Sequence, residues 1–330
     1  MKIAVLGAGA WGSALAVHFA ARHEVTLWTR SEAHAQAMSS ERENARYLPG
    51  IGLPAALQLT HRLDEAIQNA DLLLVAVPSG ALRSLLGLLA EKAIGCPLVW
   101  VCKGFEEGSG KLPHEIVSEI LPAVPSGVLS GPSFAIEVAK GMPTAMTLAS
   151  QHPRIIDDIA HRLHGGTLRI YTSDDVVGIE LGGAVKNVIA IAAGISDGLG
   201  FGHNARAALI TRSLAEITRL GLALGGHMET FMGLSGMGDL ILTCTGDLSR
   251  NRQVGLRLAK GEKLGTIIES LGHVAEGIST APEVLRLATR LGVDMPITRA
   301  VNSVLYENLS PRQAVEDLLH RNQKAEDPRQ

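Results

Sequence analysis

Aromatic residues are scarce in this chain, whose 330 residues include only 5 Phe, 3 Trp and 3 Tyr. The formal net charge at pH 7 is −3, so no excess of basic residues is present either. Proteins that bind nucleic acid typically combine a basic face with aromatic side chains on which bases stack. The composition therefore argues against a nucleic-acid partner.

Cysteine is also rare. The three cysteines, Cys96, Cys102 and Cys244, form no CxxC pair, so neither a disulfide framework nor a zinc site is indicated. His161 and His164 lie close together in the sequence, but no third candidate ligand is near them. We therefore predict no metal site and a reducing, cytoplasmic compartment.

Apolar runs of membrane-spanning length are not evident. The stretch from Val185 to Ile195 is far shorter than the roughly 20 residues that cross a bilayer. Lys2 is followed by a short strand and glycines rather than by a long apolar core with a small-residue cleavage site, so no signal peptide is predicted. We expect a soluble protein without stable membrane insertion.

Glycine, in contrast, is abundant, and its first cluster follows a predicted strand at residues 2–6. Gly7, Gly9 and Gly12 form GxGxxG, and a helical pattern continues to Ala20. In this context the first glycine makes a tight turn, the second lets the backbone approach a pyrophosphate, and the third packs helix on strand. The helix N-terminus offers amide donors to the phosphates. We predict a dinucleotide site for NADP or NAD.

The second predicted strand, residues 24–28, ends in Thr29-Arg30-Ser31. NAD-preferring sites usually have a carboxylate at this place, which binds the ribose 2′-hydroxyl. Arg30 can instead pair with a 2′-phosphate, which predicts that NADPH binds at least as well as NADH. The alternative is that Arg30 is merely exposed and that Glu32 binds the ribose.

Further apolar runs predict strands at residues 71–77, 97–102, 127–131, 144–149 and 168–171. They alternate with helical patterns, which predicts an α/β fold with a doubly wound, mostly parallel sheet. Ligands bind beyond the carboxyl ends of such strands. Lys103 and the stretch Ser130-Gly131-Pro132-Ser133 each follow one of these strands. We therefore expect Lys103 to face the ligand crevice.

Strand patterns end near residue 175, and the remainder predicts helices. We place an NAD(P)-binding domain at residues 1–180 and an all-α substrate-binding and catalytic domain at 181–330. A capping box at Thr280-Ala-Pro-Glu283 predicts a helix from Val284. Ser310 is the predicted N-cap of a last helix that has Pro311 at its first position. The polar tail at 322–330 is predicted to be disordered.

The segment 178–202 predicts a helix with almost no polar face. Between Glu180 and Asp197 its only charged residue is Lys186. An ammonium is costly to bury unless it is paired. Three interpretations stay open: a lysine that snorkels to solvent, a buried structural ion pair, or a catalytic lysine whose pKa is lowered by desolvation.

Ser249-Arg250-Asn251-Arg252 predicts a helix start with Ser249 as N-cap. Cations in a first helical turn oppose the helix dipole. They are favourable if an anion binds there to amides, guanidinium and carboxamide together. The alternative is an exposed arginine pair on a loop.

Together these residues suggest a dehydrogenase for a small phosphorylated alcohol. Lys186 would take the hydroxyl proton as hydride leaves. Lys103 would polarise the carbonyl oxygen or help to bind phosphate, and Arg250 with Asn251 would hold the phosphate. Two alternatives remain: a reductase of the same architecture acting on a small hydroxy acid, and a non-catalytic NADP(H)-sensing protein. A homodimer is the default expectation for such a chain.

Seven segments in order carry a resemblance over nearly the whole chain: IAVLGAGAWGSALA, VCKGFE, LSGPSFAIEVAKG, ELGGAVKNVIAIAAGISDGL, GLSGMGDLILTC, SRNR and AEGISTA. They resemble NAD(P)-dependent glycerol-3-phosphate dehydrogenase of the bacterial type. The resemblance implies a Rossmann-like domain followed by a helical domain like the C-terminal domain of 6-phosphogluconate dehydrogenase. It also implies interconversion of dihydroxyacetone phosphate and sn-glycerol 3-phosphate for glycerophospholipid synthesis.

The same resemblance assigns roles to individual positions, with Lys186 as the proton acceptor. Substrate contacts are implied for Lys103, Gly131, Ser133, Lys186, Asp239, Ser249, Arg250 and Asn251. Cofactor contacts are implied for Gly7, Gly9, Ala10, Trp11, Gly12, Arg30, Tyr47, Lys103, Ala135, Arg250, Val274 and Glu276. The chain departs from the family at Ala10, where serine is frequent, and has Ser133 where threonine also occurs. Only the hydrogen bond from position 10 is affected.

Overall fold

The computed structural model describes residues 1–271 and 275–321 of the chain. Val274, an implied cofactor contact, and the tail at 322–330 lie outside the described residues. The strands are β1 (Lys2–Leu6), β2 (Glu24–Trp28), β3 (Glu43–Asn44), β4 (Leu48–Gly52), β5 (Gln58–Thr60), β6 (Leu72–Val75), β7 (Leu98–Trp100), β8 (Ser126–Ser130), β9 (Thr144–Ala149) and β10 (Leu168–Ser173). Every strand that the sequence predicts is present, with ends that differ by a few residues.

The helices are α1 (Ala10–Ala20), α2 (Glu32–Glu41), α3 (Leu63–Ile67), α4 (Ser79–Glu91), α5 (Pro113–Ile120), α6 (Ala135–Ala139), α7 (Ala160–Leu163), α8 (Val176–Gly198), α9 (Gly202–Ala223), α10 (Met228–Met232), α11 (Asp239–Thr245), α12 (Arg250–Ala259), α13 (Leu264–Leu271), α14 (Glu276–Arg290), α15 (Pro296–Tyr306) and α16 (Pro311–Leu319). Single π-helical turns precede α7 at Ile155–Ile159 and α11 at Leu234–Gly238. From α8 onward the described chain is helical, as predicted.

The main sheet has eight strands in the order β10-β9-β8-β7-β6-β1-β2-β5. Its neighbours pair in parallel except β8 and β9, which are antiparallel. The predicted doubly wound, mostly parallel sheet is therefore confirmed. Strand order reverses at β1, which lies between β2 and β6, so a ligand crevice is expected beyond the carboxyl end of β1.

Burial on both faces explains why the central strands are continuously apolar. In β1, Ile3 and Val5 belong to one core, whereas Ala4 and Leu6 belong to the core on the opposite face. Successive side chains of a strand point to opposite faces. A strand covered by helices on both sides therefore buries every side chain and is apolar throughout.

A two-stranded hairpin of β3 and β4 and the edge strand β5 are not predicted from the sequence. The segment Leu48–Gly52 contains proline and glycine, residues that are depleted in strands. The hairpin is held by Leu48 and Ile51, which are buried against Ala14 and Val138, and by a polar side chain of β3. Buried Asn44 donates from Nδ2 to the carbonyl oxygen of Ala8, at 3.0 Å, and to Ser13 Oγ, at 2.7 Å.

Helix α8 lies at the centre of the helical region and packs against α9, α11, α12 and α14. It begins two residues earlier than predicted, because Asp175 caps it by accepting from the amide of Gly178 at 2.7 Å. The helix is longer than the apolar stretch Val185 to Ile195 suggests, and by length and composition it could cross a membrane. However, 83% of its most apolar window is buried inside the protein. It therefore forms core here.

The predicted capping box at Thr280–Glu283 is wrong. Helix α14 already begins at Glu276, and Pro282 lies inside it. Proline cannot donate to the carbonyl four residues earlier, which normally breaks a helix. Here the hydroxyl of Tyr306 donates to the carbonyl oxygen of Ile278 at 2.9 Å and replaces the missing donor. A partner from α15 thus allows the helix to continue.

The predicted start of the last helix is confirmed. Ser310 Oγ accepts from the amide of Gln313 at 3.2 Å, and Pro311 occupies the first helical position of α16. In a complete capping box the Gln313 side chain would also accept from the amide of Ser310. Here the Gln313 side-chain amide instead donates to Asp317 within the helix at 2.8 Å.

Candidate active site

Three charged side chains from distant parts of the chain meet at the carboxyl edge of the sheet. Asp239, 0% exposed at the start of α11, accepts from Lys186 Nζ of α8 through Oδ1 and from Lys103 Nζ through Oδ2, the latter at 2.8 Å. Lys103, after β7, also donates to the carbonyl oxygen of Gly131, after β8, at 3.1 Å. Asp239 therefore bridges a lysine of the sheet region and a lysine of the helical region.

Burial dominates the electrostatics of Lys186, which is 6% exposed. Desolvation, opposed by the carboxylate of Asp239 and aided by the nearby charge of Lys103, lowers the pKa of Lys186 from its ordinary 10.5 to about 8. The lysine does not snorkel to solvent, because its ammonium ends on a buried carboxylate. A group of this pKa exchanges a proton readily near neutral pH, which favours the catalytic interpretation over a purely structural ion pair.

Two adjacent glycines let the partners of Lys186 approach α8. A Cβ on Gly182 would lie 2.7 Å from the carbonyl oxygen of Ser235, in the π-helical turn that leads to Asp239. A Cβ on Gly183 would lie 3.1 Å from Ser130 Oγ and 3.5 Å from Lys103 Cγ. The glycine pair thus brings the elements that carry Asp239 and Lys103 close to the helix that carries Lys186.

The predicted dinucleotide turn follows β1 as expected. Gly7 has φ +123°, and a Cβ there would lie 2.7 Å from the carbonyl oxygen of Ala76. A Cβ on Gly12 would lie 1.9 Å from the carbonyl oxygen of Gly7, whereas Gly9 faces open space. These are the three glycine functions of a pyrophosphate-binding turn. Ala10 and Trp11 form the first turn of α1 behind it.

The residues predicted to bind the ribose have exposed side chains, unlike the packed glycines of the turn. Arg30 is exposed directly after β2, and Glu32 is exposed in the first turn of α2. Tyr47 lies in the hairpin, where its ring is 5.4 Å from that of His34 and 5.0 Å from the Arg46 guanidinium. Both cofactor alternatives at this edge are compatible with these positions.

Asn44 is a further residue of this site that no sequence pattern identifies. Besides binding the glycine turn through Ala8, its Oδ1 accepts from the amide of Tyr47 at 3.3 Å and lies 3.0 Å from His34 Nε2. It therefore connects the hairpin to the dinucleotide turn. An asparagine in a polar stretch carries no pattern that predicts burial, so only the fold identifies it.

Ser249 caps α12 as predicted, accepting from the amide of Arg252 at 3.3 Å. Arg250 is exposed, whereas Arg252 pairs with Asp197 at 2.8 Å and with Asp247 at 2.9 Å. The alternative of an exposed arginine pair is therefore wrong for Arg252, which is 9% exposed.

The carboxamide of Asn251 is buried and makes two hydrogen bonds. Its Nδ2 donates to Asn187 Oδ1 at 2.9 Å, and its Oδ1 accepts from the amide of Gly277 at 2.9 Å. Asn251 thereby links the residue after Lys186 to the first turn of α14.

Glu276 joins the same cluster from the start of α14. Desolvation raises the pKa of Glu276 to about 7, and the charges of Lys103, Lys186 and Arg250 oppose this rise. The hydrogen bond from the amide of Gly277 to Asn251 brings the residues beside them, Glu276 and Arg250, to neighbouring helix starts. Two other predicted positions lie by β8: Ser133 Oγ donates to the carbonyl oxygen of Gly131 at 3.0 Å, and Ala135 begins α6.

Within residues 1–271 and 275–321, no group of three or more His, Cys, Asp or Glu side chains could hold a metal ion. The structure assembles a cluster of charged groups at the carboxyl edge of the sheet, the edge that also carries the glycine turn after β1. The cluster combines a buried amine of lowered pKa with further cations. Such a set of groups suits a dinucleotide and a small anionic substrate.

Family models match both halves of the chain. Residues 2–156 match the N-terminus of NAD-dependent glycerol-3-phosphate dehydrogenase, and residues 175–316 match its C-terminus. Relatives named glycerol-3-phosphate dehydrogenase [NAD(P)+] include that of Thiobacillus denitrificans, 58% identical over 327 residues, which are 99% of this chain and 100% of the relative. That of Nitrosospira multiformis is 57% identical over 331 residues, 99% of each chain.

Solved structures give the same picture. The crystal structure of glycerol-3-phosphate dehydrogenase from Coxiella burnetii is similar with a TM-score of 0.93 and 42% identity, over 97% of this chain and 99% of that one. A D-mandelate dehydrogenase complex with NADH is similar with a TM-score of 0.60 at 14% identity, over 93% of this chain and 98% of that one. The second likeness concerns the fold alone.

Proposed function

The chain belongs to the NAD-dependent glycerol-3-phosphate dehydrogenase family, and we propose that it reduces dihydroxyacetone phosphate reversibly to sn-glycerol 3-phosphate. The observation that carries the proposal is the pair of lysines on buried Asp239, Lys186 buried and Lys103 half-buried, at the same sheet edge as the dinucleotide turn. The product would supply glycerophospholipid synthesis. The two alternatives, a hydroxy-acid reductase and a cofactor sensor, are not favoured by relatives that share more than half of their residues with this chain.

The cofactor is NADPH or NADH, whose nicotinamide supplies the hydride when bound. The turn at Gly7, Gly9 and Gly12 fits a pyrophosphate, since Gly9 faces open space and the other two glycines are packed against backbone. Further contacts are proposed for the residues implied by the family: Ala10, Trp11, Arg30, Tyr47, Lys103, Ala135, Arg250, Val274 and Glu276.

Lys186 is proposed as the group that exchanges the substrate proton. In reduction its ammonium would donate to the oxygen of the forming alcohol, and in oxidation its neutral amine would accept the hydroxyl proton. With the pKa of Lys186 at about 8, both forms are accessible near neutral pH. Asp239 would hold this amine in place, and the charge of Lys103 would polarise the carbonyl oxygen.

The phosphate of the substrate is proposed to bind at the start of α12. Arg250 and the N-terminal amides that follow Ser249 would contact it, with Asn251 alongside. Gly131 and Ser133 complete the proposed substrate contacts. The exposed side chain of Arg250 leaves its guanidinium available to an anion on this helix end.

Several finer assignments belong to the same proposal. We place the domain boundary after residue 180 and propose a cytoplasmic homodimer without membrane insertion. Light scattering of the purified chain tests the dimer, since a monomer mass would contradict it. The burial of α8 in the core supports the absence of membrane insertion.

The reaction is tested by adding dihydroxyacetone phosphate to the purified chain and NADPH and following the loss of NADPH absorbance. Product identified as sn-glycerol 3-phosphate supports the proposal. Saturable NADPH binding without oxidation would instead indicate a sensor. Oxidation with a small 2-oxo acid but not with dihydroxyacetone phosphate would indicate the hydroxy-acid alternative.

A further inference from the structure

The stretch between β7 and α5, residues 101–112, is here called the Lys103 segment. It leaves the sheet and enters the helical region, because Phe105 and Leu112 are buried in the same core cluster as Leu181 and Val185 of α8. The segment also bonds to α14, where Glu283 accepts from the amide of Gly108 at 2.9 Å. Lys103 thus lies on a chain segment that depends on contacts with the helices for its position.

Glu180 of α8 binds both ends of this segment. Its Oε1 accepts from Trp100 Nε1 at 2.7 Å and from the amide of His114 at 2.9 Å, and its Oε2 bonds to His114 Nδ1. Trp100 is the last residue of β7, three positions before Lys103, and His114 lies in the first turn of α5. One carboxylate therefore joins the entry and the exit of the Lys103 segment.

This carboxylate is an unusual group to bury in an apolar helix. The Glu180 side chain is 1% exposed, and His114 is its facing titratable partner, 29% exposed. Burial alone would lower the pKa of His114, yet the hydrogen bond to Glu180 and its charge raise that pKa above the ordinary value. Burial raises the pKa of Glu180 itself, and the hydrogen bonds and charge of His114 together with the Trp100 bond oppose this rise. Three donors thus satisfy the buried carboxyl group.

The position of Glu180 along α8 relates it to the proton-exchanging lysine. Glu180 precedes Gly183 by one turn and Lys186 by six residues, about 9 Å along the helix axis. At Gly183 the missing side chain leaves room for the Lys103 stem, whose Cγ would lie 3.5 Å from a Cβ there. The same helix thus holds the ends of the Lys103 segment, accommodates the lysine itself, and carries Lys186.

We propose that Glu180 is a positioning residue for Lys103, which it keeps on Asp239 by tying Trp100 and His114 to α8. The inference rests on the proposed function, because Lys103 acts on the substrate of that reaction. Without the carboxylate, both ends of the Lys103 segment lose their common attachment, and the 2.8 Å contact of Lys103 with Asp239 loosens. Trp100 and His114 do not touch the reacting atoms and act through Lys103 only.

The test compares Glu180→Ala and Glu180→Gln with Glu216→Gln in the full-length enzyme. Glu216 is a matched control, since it is a buried carboxylate of the helical region that accepts from the amides of Ile297 and Thr298 at the start of α15. We expect Glu180→Ala to lower kcat by about tenfold or more, within the ~10²-fold that a displacement of about 1 Å can cost. Glu180→Gln keeps an acceptor oxygen and should recover most of the rate. The NADPH dissociation constant should stay unchanged in Glu216→Gln, whose side chain lies apart from Lys103 and its segment.

The pH profile separates positioning from mere stabilisation. The charge of Lys103 helps to lower the pKa of Lys186, so displacement of Lys103 in Glu180→Ala should move the kcat midpoint to higher pH. Glu216→Gln should lower the melting temperature without moving that midpoint. If Glu180→Ala does not fold, His114→Ala removes the side-chain bond alone and is measured in the same way.

Two outcomes overturn the inference. One is a folded Glu180→Ala or His114→Ala enzyme with wild-type kcat and midpoint. The other is a loss of kcat with an unmoved midpoint, which would make Glu180 a structural residue only. A wild-type enzyme without dihydroxyacetone phosphate reduction would contradict the proposed function itself, which the wild-type arm detects separately.

Discussion

Replacing Asp239 with asparagine removes the charge that balances two lysines while leaving the size of the side chain unchanged. In the wild type this carboxylate is 0% exposed and accepts from both Lys186 and Lys103. Asparagine leaves a buried ammonium, that of Lys186, and a half-buried one, that of Lys103, without their shared counterion. The cheaper response for the protein is to release a proton from Lys186, whose pKa is already lowered to about 8 by burial.

The size of the effect follows from the geometry. At a separation of about 3 Å and an effective dielectric of about 20, an ion pair is worth about 5 to 6 kcal/mol. Since one pKa unit corresponds to about 1.4 kcal/mol, loss of the whole attraction would lower the pKa by about 4 units. Relaxation of the two lysines reduces this change in pKa. Even a quarter of it, about one unit, brings the pKa of Lys186 from about 8 to about 7.

The assay is kcat against pH in both directions at saturating cofactor. Reduction needs the ammonium of Lys186, so its rate falls above the pKa, and this fall should move to lower pH by about one unit or more in Asp239→Asn. Oxidation needs the neutral amine, and its rise should move to lower pH by the same amount. Circular dichroism checks that the variant is folded. A folded variant with both midpoints unchanged would refute the electrostatic account of the site.

Three further predictions concern stability and the cofactor. Because the pKa of Lys186 is lowered from 10.5 to about 8 on folding, the unfolded chain binds more protons between these values, and wild-type stability rises with pH there by up to about 3 kcal/mol. Urea unfolding of Lys186→Met should lack that rise; a variant that keeps it would place the titrating group elsewhere. Arg30→Ala should lower kcat/KM with NADPH more than with NADH, and an unchanged ratio would remove Arg30 from cofactor choice. Asn44→Ala leaves the hairpin unattached to Ala8 and should weaken NADPH binding, measured by fluorescence titration, while kcat at saturation stays near wild type; unaltered affinity would contradict its role at the dinucleotide turn.

The sheet could be predicted from the sequence because its physical causes are local. Strands such as β1 and β6 are covered on both faces, so they appear as short apolar runs, and the glycine turn after β1 has a fixed spacing. The short strands β3, β4 and β5 have no such pattern. The hairpin of β3 and β4 is held by Asn44 and by the buried side chains of Leu48 and Ile51, whose spacing is not the alternation of a regular strand.

Helix α14 shows the limit of local signals in another way. Thr280 and Glu283 have the spacing of a helix start, and Pro282 supports it, yet the helix runs through all three positions. The deciding contact, from Tyr306 to Ile278, comes from another helix. The sequence shows that Pro282 lacks an amide donor, but it does not show that Tyr306 supplies one from another helix.

Some residues of the site could be predicted from local sequence patterns, whereas others could not. Lys186 could be singled out because a lone charge in an apolar helix needs a reason. Its partner Asp239 is 53 residues away and could be named only through the family resemblance. The contacts of Glu180 could not be predicted from the sequence, because its three hydrogen bonds join β7 and α5 to a helix that follows much later in the chain.

The most direct test of the central claim, that Lys186 exchanges the substrate proton, is the kcat of Lys186→Met for dihydroxyacetone phosphate reduction beside its NADPH dissociation constant. Methionine fills a similar volume in the apolar helix but has no proton to give. The account predicts a loss of kcat of ~10²-fold or more, the scale of general acid–base catalysis, with NADPH affinity unchanged. Turnover near the wild-type rate would contradict it and leave Lys186 as a structural ion pair with Asp239.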